Sequence, residues 1–226
     1  MLLDKGNEMA QNQRNYQKEM EKIIDKLQGE RKRLLLHSCC APCSSAVLEK
    51  LQEVFEVTVF FYNPNISEDI EYQKRVVEQK RLVEAFNQKN PTCPIYMIDG
   101  DYDPQEFYQI AKGYESCPEG GERCFRCFEL RLEATAKIAK KGNYDFFTTT
   151  LTISPLKNAI KLNEIGEEMA KQYECIWLPS DFKKKEGYKR SIELSKEYDL
   201  YRQDFCGCAF SKAESLKRKM DMNITN

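Results

Sequence analysis

Apolar positions along the chain follow two spacings, and these spacings predict its elements. Residues 33–38 (RLLLHS) form a short apolar run that closes on small polar residues, the pattern of a buried strand. Residues 57–62 (VTVFFY) are β-branched and aromatic, and Asn63-Pro64-Asn65 ends that strand. Further strands are predicted at residues 94–98 (PIYMI), 144–149 (YDFFTT) and 175–178 (CIWL). Helical spacing fills the intervals. Pro42 opens a helix continued by Ala46, Val47 and Leu51. Residues 68–88 carry a stripe of Val76, Val77, Leu82, Val83 and Phe86, and residues 124–140 carry one of Leu130, Leu132, Ala136 and Ala139. Shorter helices are predicted at 104–111, 160–172, 188–198 and 211–220. Before the first strand, Met9, Met20, Ile23, Ile24 and Leu27 suggest a modest amphipathic helix over residues 15–28, with Gly29 as its stop and a solvated setting.

Strands alternating with helices predict an α/β fold: a parallel sheet flanked by helices, with helical additions. No internal repeat or low-complexity linker interrupts residues 33–226, so these read as one α/β domain, preceded by an N-terminal helical extension at residues 1–32. In such sheets ligands bind beyond the carboxyl ends of the strands.

Composition narrows the class of function. Hydrophobic residues make up 41% and charged residues 31% of 226, a balance that folds as a globular domain. Lys plus Arg number 35 against 36 for Asp plus Glu, so no overall field recruits nucleic acid or membrane, and a basic patch must come from local clustering. The apolar runs are too short to span a bilayer, and the polar N-terminus does not resemble a signal peptide, so a cytoplasmic location is expected.

Sulfur changes the picture. The chain has ten cysteines, and without an export signal metal binding or redox chemistry is expected rather than structural disulfides. Cys39, Cys40 and Cys43 fall at a strand-to-helix junction, where a helix N-terminus favours thiolate. Cys124 and Cys127 form a C-x-x-C at a helix start, and Cys206 and Cys208 flank Gly207. Thiolates select soft metals. A pair from the first group and the pair Cys124/Cys127 would suit either a closed zinc site or a [4Fe–4S] cluster. For Cys206/Cys208 three readings stand: an easily reduced disulfide serving a two-electron relay, a further pair of metal ligands, or plain structural thiols. Cys93, Cys117 and Cys175 have no sequence partner; Cys93 and Cys175 read as small buried hydrophobes.

The segments LLLHSCCAPCSS (34–45), FFYNPNI (60–66), RCFRC (123–127), TTTLTISPLKN (148–158) and YRQDFCGCAFS (201–211) together resemble the epoxyqueuosine reductase family QueH, over about residues 33–215. The resemblance implies an α/β fold with an adenine-nucleotide-hydrolase-like (HUP-type) core. It also implies reduction of the epoxide of epoxyqueuosine, in the wobble position of tRNA, to the alkene of queuosine. By the family pattern Cys39, Cys40, Cys124 and Cys127 would bind a [4Fe–4S] cluster, and Cys206 and Cys208 would form a redox-active pair. The family's third position in CCAPC can be Asp, which makes Cys43 a candidate ligand for one additional iron. The implied partners are tRNA carrying epoxyqueuosine and an electron donor that the sequence does not name; no feature points to a membrane partner or to an oligomeric state.

Other residues take one of two roles. His37, the single histidine, either assists a cluster sulfur or packs at its strand end. Lys157, in SPLKN, falls on the active edge, and Tyr201, Arg202, Gln203 and Asp204 are candidates to hold the base or sugar. Asp69, Glu71 and Tyr72 line a pocket or stay solvated. Lys183, Lys184, Lys185, Lys189 and Arg190 cluster, as do Arg123, Arg126 and Arg131 around the C-x-x-C, as candidate tRNA contacts. Two rivals remain. An ATP-dependent tRNA-modifying pyrophosphatase would need a glycine-rich loop where HSCCAPCSS stands; a non-catalytic zinc-binding RNA module would need none.

Overall fold

A computed structural model describes residues 14–224; Met9 and the first thirteen residues of the predicted extension lie outside them. Strands β1 (Lys32–His37), β2 (Phe55–Phe61), β3 (Tyr96–Asp99) and β4 (Phe146–Thr149) form one parallel sheet in the order β3-β2-β1-β4. Helices α1 (Tyr16–Lys26), α2 (Ala41–Leu51), α3 (Asp69–Lys89), α4 (Pro104–Ala111), α5 (Glu122–Lys141), α6 (Ala159–Gln172), α7 (Gly187–Glu197) and α8 (Ala209–Ile224) surround it. The α/β expectation with helical additions holds.

The predicted fifth strand shrinks to a single parallel bridge, Phe147 to Trp177. The amides of Phe147 and Leu178 still exchange bonds with Ile176 O and Phe147 O at 2.9 Å. The segment lies beside β4 as a strand would, but β4 is only four residues long and gives it little to pair with. Val77 is a second departure. It is 65% exposed, whereas Val76, Leu82, Val83 and Phe86 are buried, because successive helical positions face about 100° apart and only one of the Val pair can join the stripe.

Strands β1 and β2 are near-continuous apolar runs because helices cover both faces. On one face Leu34, Leu36, Val57 and Val59 pack with Val47, Leu51, Leu82 and Phe86. Met20, fully buried, belongs to the same cluster, with Ile23, Ile24 and Leu27 against it, so α1 is part of the core rather than a solvated leader. On the other face Leu35 and Phe147 pack with Phe128, Leu132, Ala136, Leu162 and Trp177. From β1 the chain steps outward to β2 and β3, then returns to place β4 on the opposite side of β1. The order therefore reverses between β1 and β4, and the crevice at their carboxyl ends is where such sheets bind ligands.

Candidate metal and redox centre

The first cysteine group occupies that crevice. β1 ends at His37, and Cys40 is the extended N-cap of α2, with Pro42 in its first turn, where a missing N–H is harmless. A short 3-10 turn, Thr150–Ile153, follows β4. Thr150 Oγ1 accepts from the Cys39 amide at 3.3 Å and donates to Cys39 Sγ at 3.5 Å, tying the two strand ends together. Cys39 and Cys40 are buried with their sulfurs 3.8 Å apart, and the sulfurs of Cys39, Cys40 and Cys43 all lie within 4.8 Å of one another.

The three thiols do not titrate alike. Hydrogen bonds from Cys40 and Cys43 hold the Cys39 thiol well below its ordinary range against the cost of burial, and Lys157 and Arg131 add to the effect. Its partners move the other way: donation to Cys39 and burial push Cys40 up to about 12, and Cys43 rises for the same reasons. Negative charge in the group is thus favoured on Cys39. A metal supplying the missing positive charge would release the remaining protons.

The second and third groups meet beside the first. Cys124 and Cys127 ride the first turns of α5, where the Gly120 amide donates to Cys124 Sγ at 3.2 Å. Burial pushes Cys127 up to about 11. The C-x-C segment is strapped onto the start of α3: Arg75 Nη1 donates to Cys206 O at 2.9 Å, the Ser67 amide to Gly207 O at 3.1 Å and the Ala209 amide to Ser67 Oγ at 2.9 Å. Cys206 and Cys208 are thiols; burial, then the neighbouring Cys206, pushes Cys208 up to about 12. The Ser211 amide donates to Cys208 Sγ at 3.3 Å.

Two adjoining cavities display these sulfurs. One, of about 220 Å³, is lined by Cys39, Cys40, Cys43 and Cys206 together with Lys157, Tyr188, Arg202, Gln203, Asp204 and Phe205. A narrower one is lined by Cys124, Cys127, Cys206 and Cys208 with Asn65 and Phe107. Cys206, Lys157, Leu156 and Glu119 line both. All seven singled-out cysteines therefore surround one divided space.

The setting suits an anionic thiolate-bound metal group. Donors from Thr150, Gly120 and Ser211 reach three of the sulfurs, and such bonds stabilise ligated thiolates. Two cations complete it. Arg131 is buried and has no carboxylate partner among the described residues; its contacts are His37, Asn63 and Cys127. Burial disfavours the charge of Lys157, but the nearby sulfurs of Cys206, Cys39 and Cys43 outweigh this and raise its pKa.

His37 takes the packing role. Its Nδ1 lies 2.7 Å from Thr149 Oγ1, and its Nε2 lies 3.1 Å from Tyr62 O and 3.3 Å from Arg131 Nε, so both ring nitrogens are engaged within the core. Burial and Arg131 push its pKa down to about 3. Of the candidate base contacts, Arg202, Gln203 and Asp204 line the larger cavity, while Tyr201 turns to Glu71, its hydroxyl 3.0 Å from Oε2. Glu71 also pairs with Arg75 at 2.7 Å, and Tyr72 packs with Phe61, Ile66 and Val76, so neither lines the cavities. Arg123 is buried against Glu214 and backbone carbonyls. Lys183, Lys184, Lys185, Lys189 and Arg190 each sit in an ion pair. Cys93, Cys117 and Cys175 are half-buried rather than buried.

Glu119, Asn65, Arg75 and Tyr188 line the cavities without having been singled out from the sequence. Asn65 lies in the quoted YNPNI segment, but Glu119 belongs to a loop with no periodicity, and the Glu71–Arg75 spacing reads equally as a surface ion pair.

Known proteins resemble this chain over most of its length. The profile of the family described as "Epoxyqueuosine reductase QueH" matches residues 34–214. A Staphylococcus epidermidis protein named epoxyqueuosine reductase QueH is 44% identical over 94% of this chain and 89% of its own length. Proteins of that name from Staphylococcus aureus (41% identical, 94% of this chain, 88% of theirs) and Thermotoga maritima (34%, 84% and 95%) align as extensively.

Proposed function

The chain belongs to the epoxyqueuosine reductase QueH family, a family of oxidoreductases, and from that premise we propose that it reduces epoxyqueuosine in the wobble position of tRNA to queuosine. The observation that carries the reading is the convergence of seven cysteines on two cavities at the β1/β4 crevice. Removing the epoxide oxygen takes two electrons and two protons, and releases the alkene and water.

In this reading residues 33–226 form the catalytic domain and residues 1–32 its helical extension. Cys39, Cys40, Cys124 and Cys127 hold a [4Fe–4S] cluster, and Cys43 is a ligand for one further iron. When bound, the cluster would supply single electrons and the further iron would supply Lewis acidity toward the epoxide oxygen. The chain's own groups do the rest. Cys206 and Cys208 pass from dithiol to disulfide, giving up two electrons and two protons, and an external electron donor returns the pair to dithiol. Gly207, at φ +127°, lets the two sulfurs flank the cavity wall. Lys157 stands at the junction of the cavities, where its ammonium opposes the negative charge that develops as the epoxide opens. Arg131 holds the Cys127 side of the site in place through Asn63 and His37.

The tRNA must present its wobble base to a cavity of about 220 Å³, which requires that base to leave the stack. Phe205 and Tyr188 on the wall offer aromatic surfaces for it. A tRNA substrate accords with a cytoplasmic location in this reading. No helix among the described residues is long and apolar enough to cross a membrane.

The test is direct. Protein purified without oxygen should be brown, with about four to five irons per chain. It should convert epoxyqueuosine in tRNA to queuosine by nucleoside mass analysis, given a reductant. Colourless protein with stoichiometric zinc and no conversion would sink the proposal.

A further inference from the structure

Two buried carboxamides near the site, Asn63 and Asn163, have partners for both oxygen and nitrogen. Asn63 donates to Ser38 O at 2.9 Å and accepts from Arg131 at 2.5 Å. Asn163 donates to Ala159 O and Ser180 O, and accepts from Trp177 Nε1 and the Ser180 amide. Among the described residues the unpaired buried carboxamide atoms are Gln17 Oε1 on α1, Gln79 Nε2 on α3, and two oxygens in the walls of the cysteine-lined space. Asn65 Oδ1 and Gln203 Oε1 are buried and have no hydrogen-bond donor among the described residues. A buried acceptor left unpaired is costly, and such groups are few in native proteins.

Both belong to the walls of the cysteine-lined space, one on each side of Cys206. Asn65 lines the narrower cavity with Cys124, Cys127, Cys206 and Cys208. Gln203 lines the larger one with Cys39, Cys40, Cys43 and Cys206. Asn65 Nδ2 lies 4.0 Å from Cys206 Sγ, and its Oδ1 meets no donor among the described residues. The residue is only 2% exposed, so bulk water does not satisfy that oxygen.

Such an oxygen accepts only from O–H or N–H. It repels a phosphate, which at neutral pH has no proton to give when ionised, and gains nothing from an aromatic face. The substrate of the proposed reaction offers donors beside its reacting bond, because the cyclopentane ring that bears the epoxide also bears hydroxyl groups. We propose that Asn65 and Gln203 are specificity-determining residues whose carbonyl oxygens accept hydrogen bonds from the hydroxylated ring of the modified base, turning its reacting carbons toward Cys206. This rests on the reductase reading above, and refines it from the whole tRNA to one ring of one nucleoside.

The test compares two tRNAs of identical sequence, one with epoxyqueuosine and one with guanosine at the wobble position. Their dissociation constants are measured on cluster-loaded protein without oxygen. The native protein should prefer the epoxyqueuosine form. Gln203→Met and Asn65→Leu, each near-isosteric and without the carbonyl, should weaken that form by about 3- to 10-fold while shifting the guanosine form less than about twofold. Gln203→Glu keeps an acceptor and should keep the preference. Iron per chain should be unchanged, and the Tm of Gln203→Met should equal or exceed that of the native protein, because the variant removes an unpaired buried oxygen. Equal weakening of both tRNAs, an undiminished preference, or a lower Tm for Gln203→Met would overturn the proposal. Failure of the native protein to reduce epoxyqueuosine in tRNA at all would instead overturn the function on which it rests.

Discussion

Arg131, on α5, donates from Nε to Nε2 of His37, at the end of β1, across 3.3 Å. Its Nη2 also donates to Asn63 Oδ1 at 2.5 Å, so one buried guanidinium ties α5 to β1 and to the turn after β2. Replacing it by Gln would leave buried acceptors on His37 and Asn63 without a donor. Each such loss costs about 1–3 kcal/mol, so Arg131→Gln should lose about 2–4 kcal/mol in urea denaturation. Iron content should fall with it, since the C-x-x-C would lose its anchor. A variant as stable as the native protein would show that the network is dispensable.

Gly207 is the second point of leverage. Its φ of +127° is one that side chains rarely adopt, and a Cβ there would stand 2.9 Å from Ile66 Cγ1 and 3.3 Å from Arg75 Nη1. Gly207→Ala must therefore move the C-x-C segment away from α3. A local strain of about 1–3 kcal/mol leaves the domain folded. The measured outcome should be a Tm only a few degrees lower beside a turnover reduced at least about tenfold. Retained turnover would mean that the placement of Cys206 and Cys208 is not critical.

Much of this was legible in the chain. Residues 33–38 and 57–62 are strands because both faces of the sheet are covered, which makes their apolar runs continuous and easy to see. The position of the first cysteines beyond β1 followed from the α/β alternation alone. The fifth strand was not legible as a bridge, because CIWL has strand composition and only the shortness of β4 limits its pairing. The core role of α1 was hidden because Met20, Ile23, Ile24 and Leu27 read equally as a weak solvated helix. The basic run at 183–190 looked like a nucleic-acid patch; its partners Asp181, Glu21 and Glu49 are near in space, two of them distant in sequence. Asn65 and Gln203 carry no signature of burial; only three dimensions show which oxygen goes without a partner.

Those ion pairs make a prediction about tRNA. Lys189 is paired with Glu186 and Lys185 with Glu21, so neither is free to neutralise a phosphate without breaking a contact. Lys189→Ala should leave tRNA affinity within about twofold and the slope of log Kd against log salt unchanged. By contrast Arg202, exposed on the cavity wall beside Ser195 and Tyr188 and in no ion pair among the described residues, should contribute. Arg202→Ala should reduce that slope by about one ion. The reverse ranking would place the anticodon arm on the 183–190 face instead.

Gly166 permits the last contact that holds the sheet edge. α6 crosses the indole of Trp177 so closely that a Cβ at Gly166 would lie 2.4 Å from its Cδ2 and Cε2. Trp177 cannot retreat easily: its Nε1 donates to Asn163 Oδ1 at 3.0 Å, its ring packs edge-on to Phe147 at 5.1 Å, and its backbone bridges β4. Gly166→Ala must then displace either the helix or the indole. Overpacking of this kind costs about 1–3 kcal/mol, beyond the few tenths that alanine returns through helix propensity. Trp177 is the single tryptophan, so its fluorescence reports the site alone. The variant should show a red-shifted emission maximum and a lower urea midpoint with an unchanged m-value. Because β4 ends at Thr149, beside the Thr150 that grips Cys39, iron retention should also fall. An unshifted spectrum would mean that α6 moves instead, and iron retention would then be preserved.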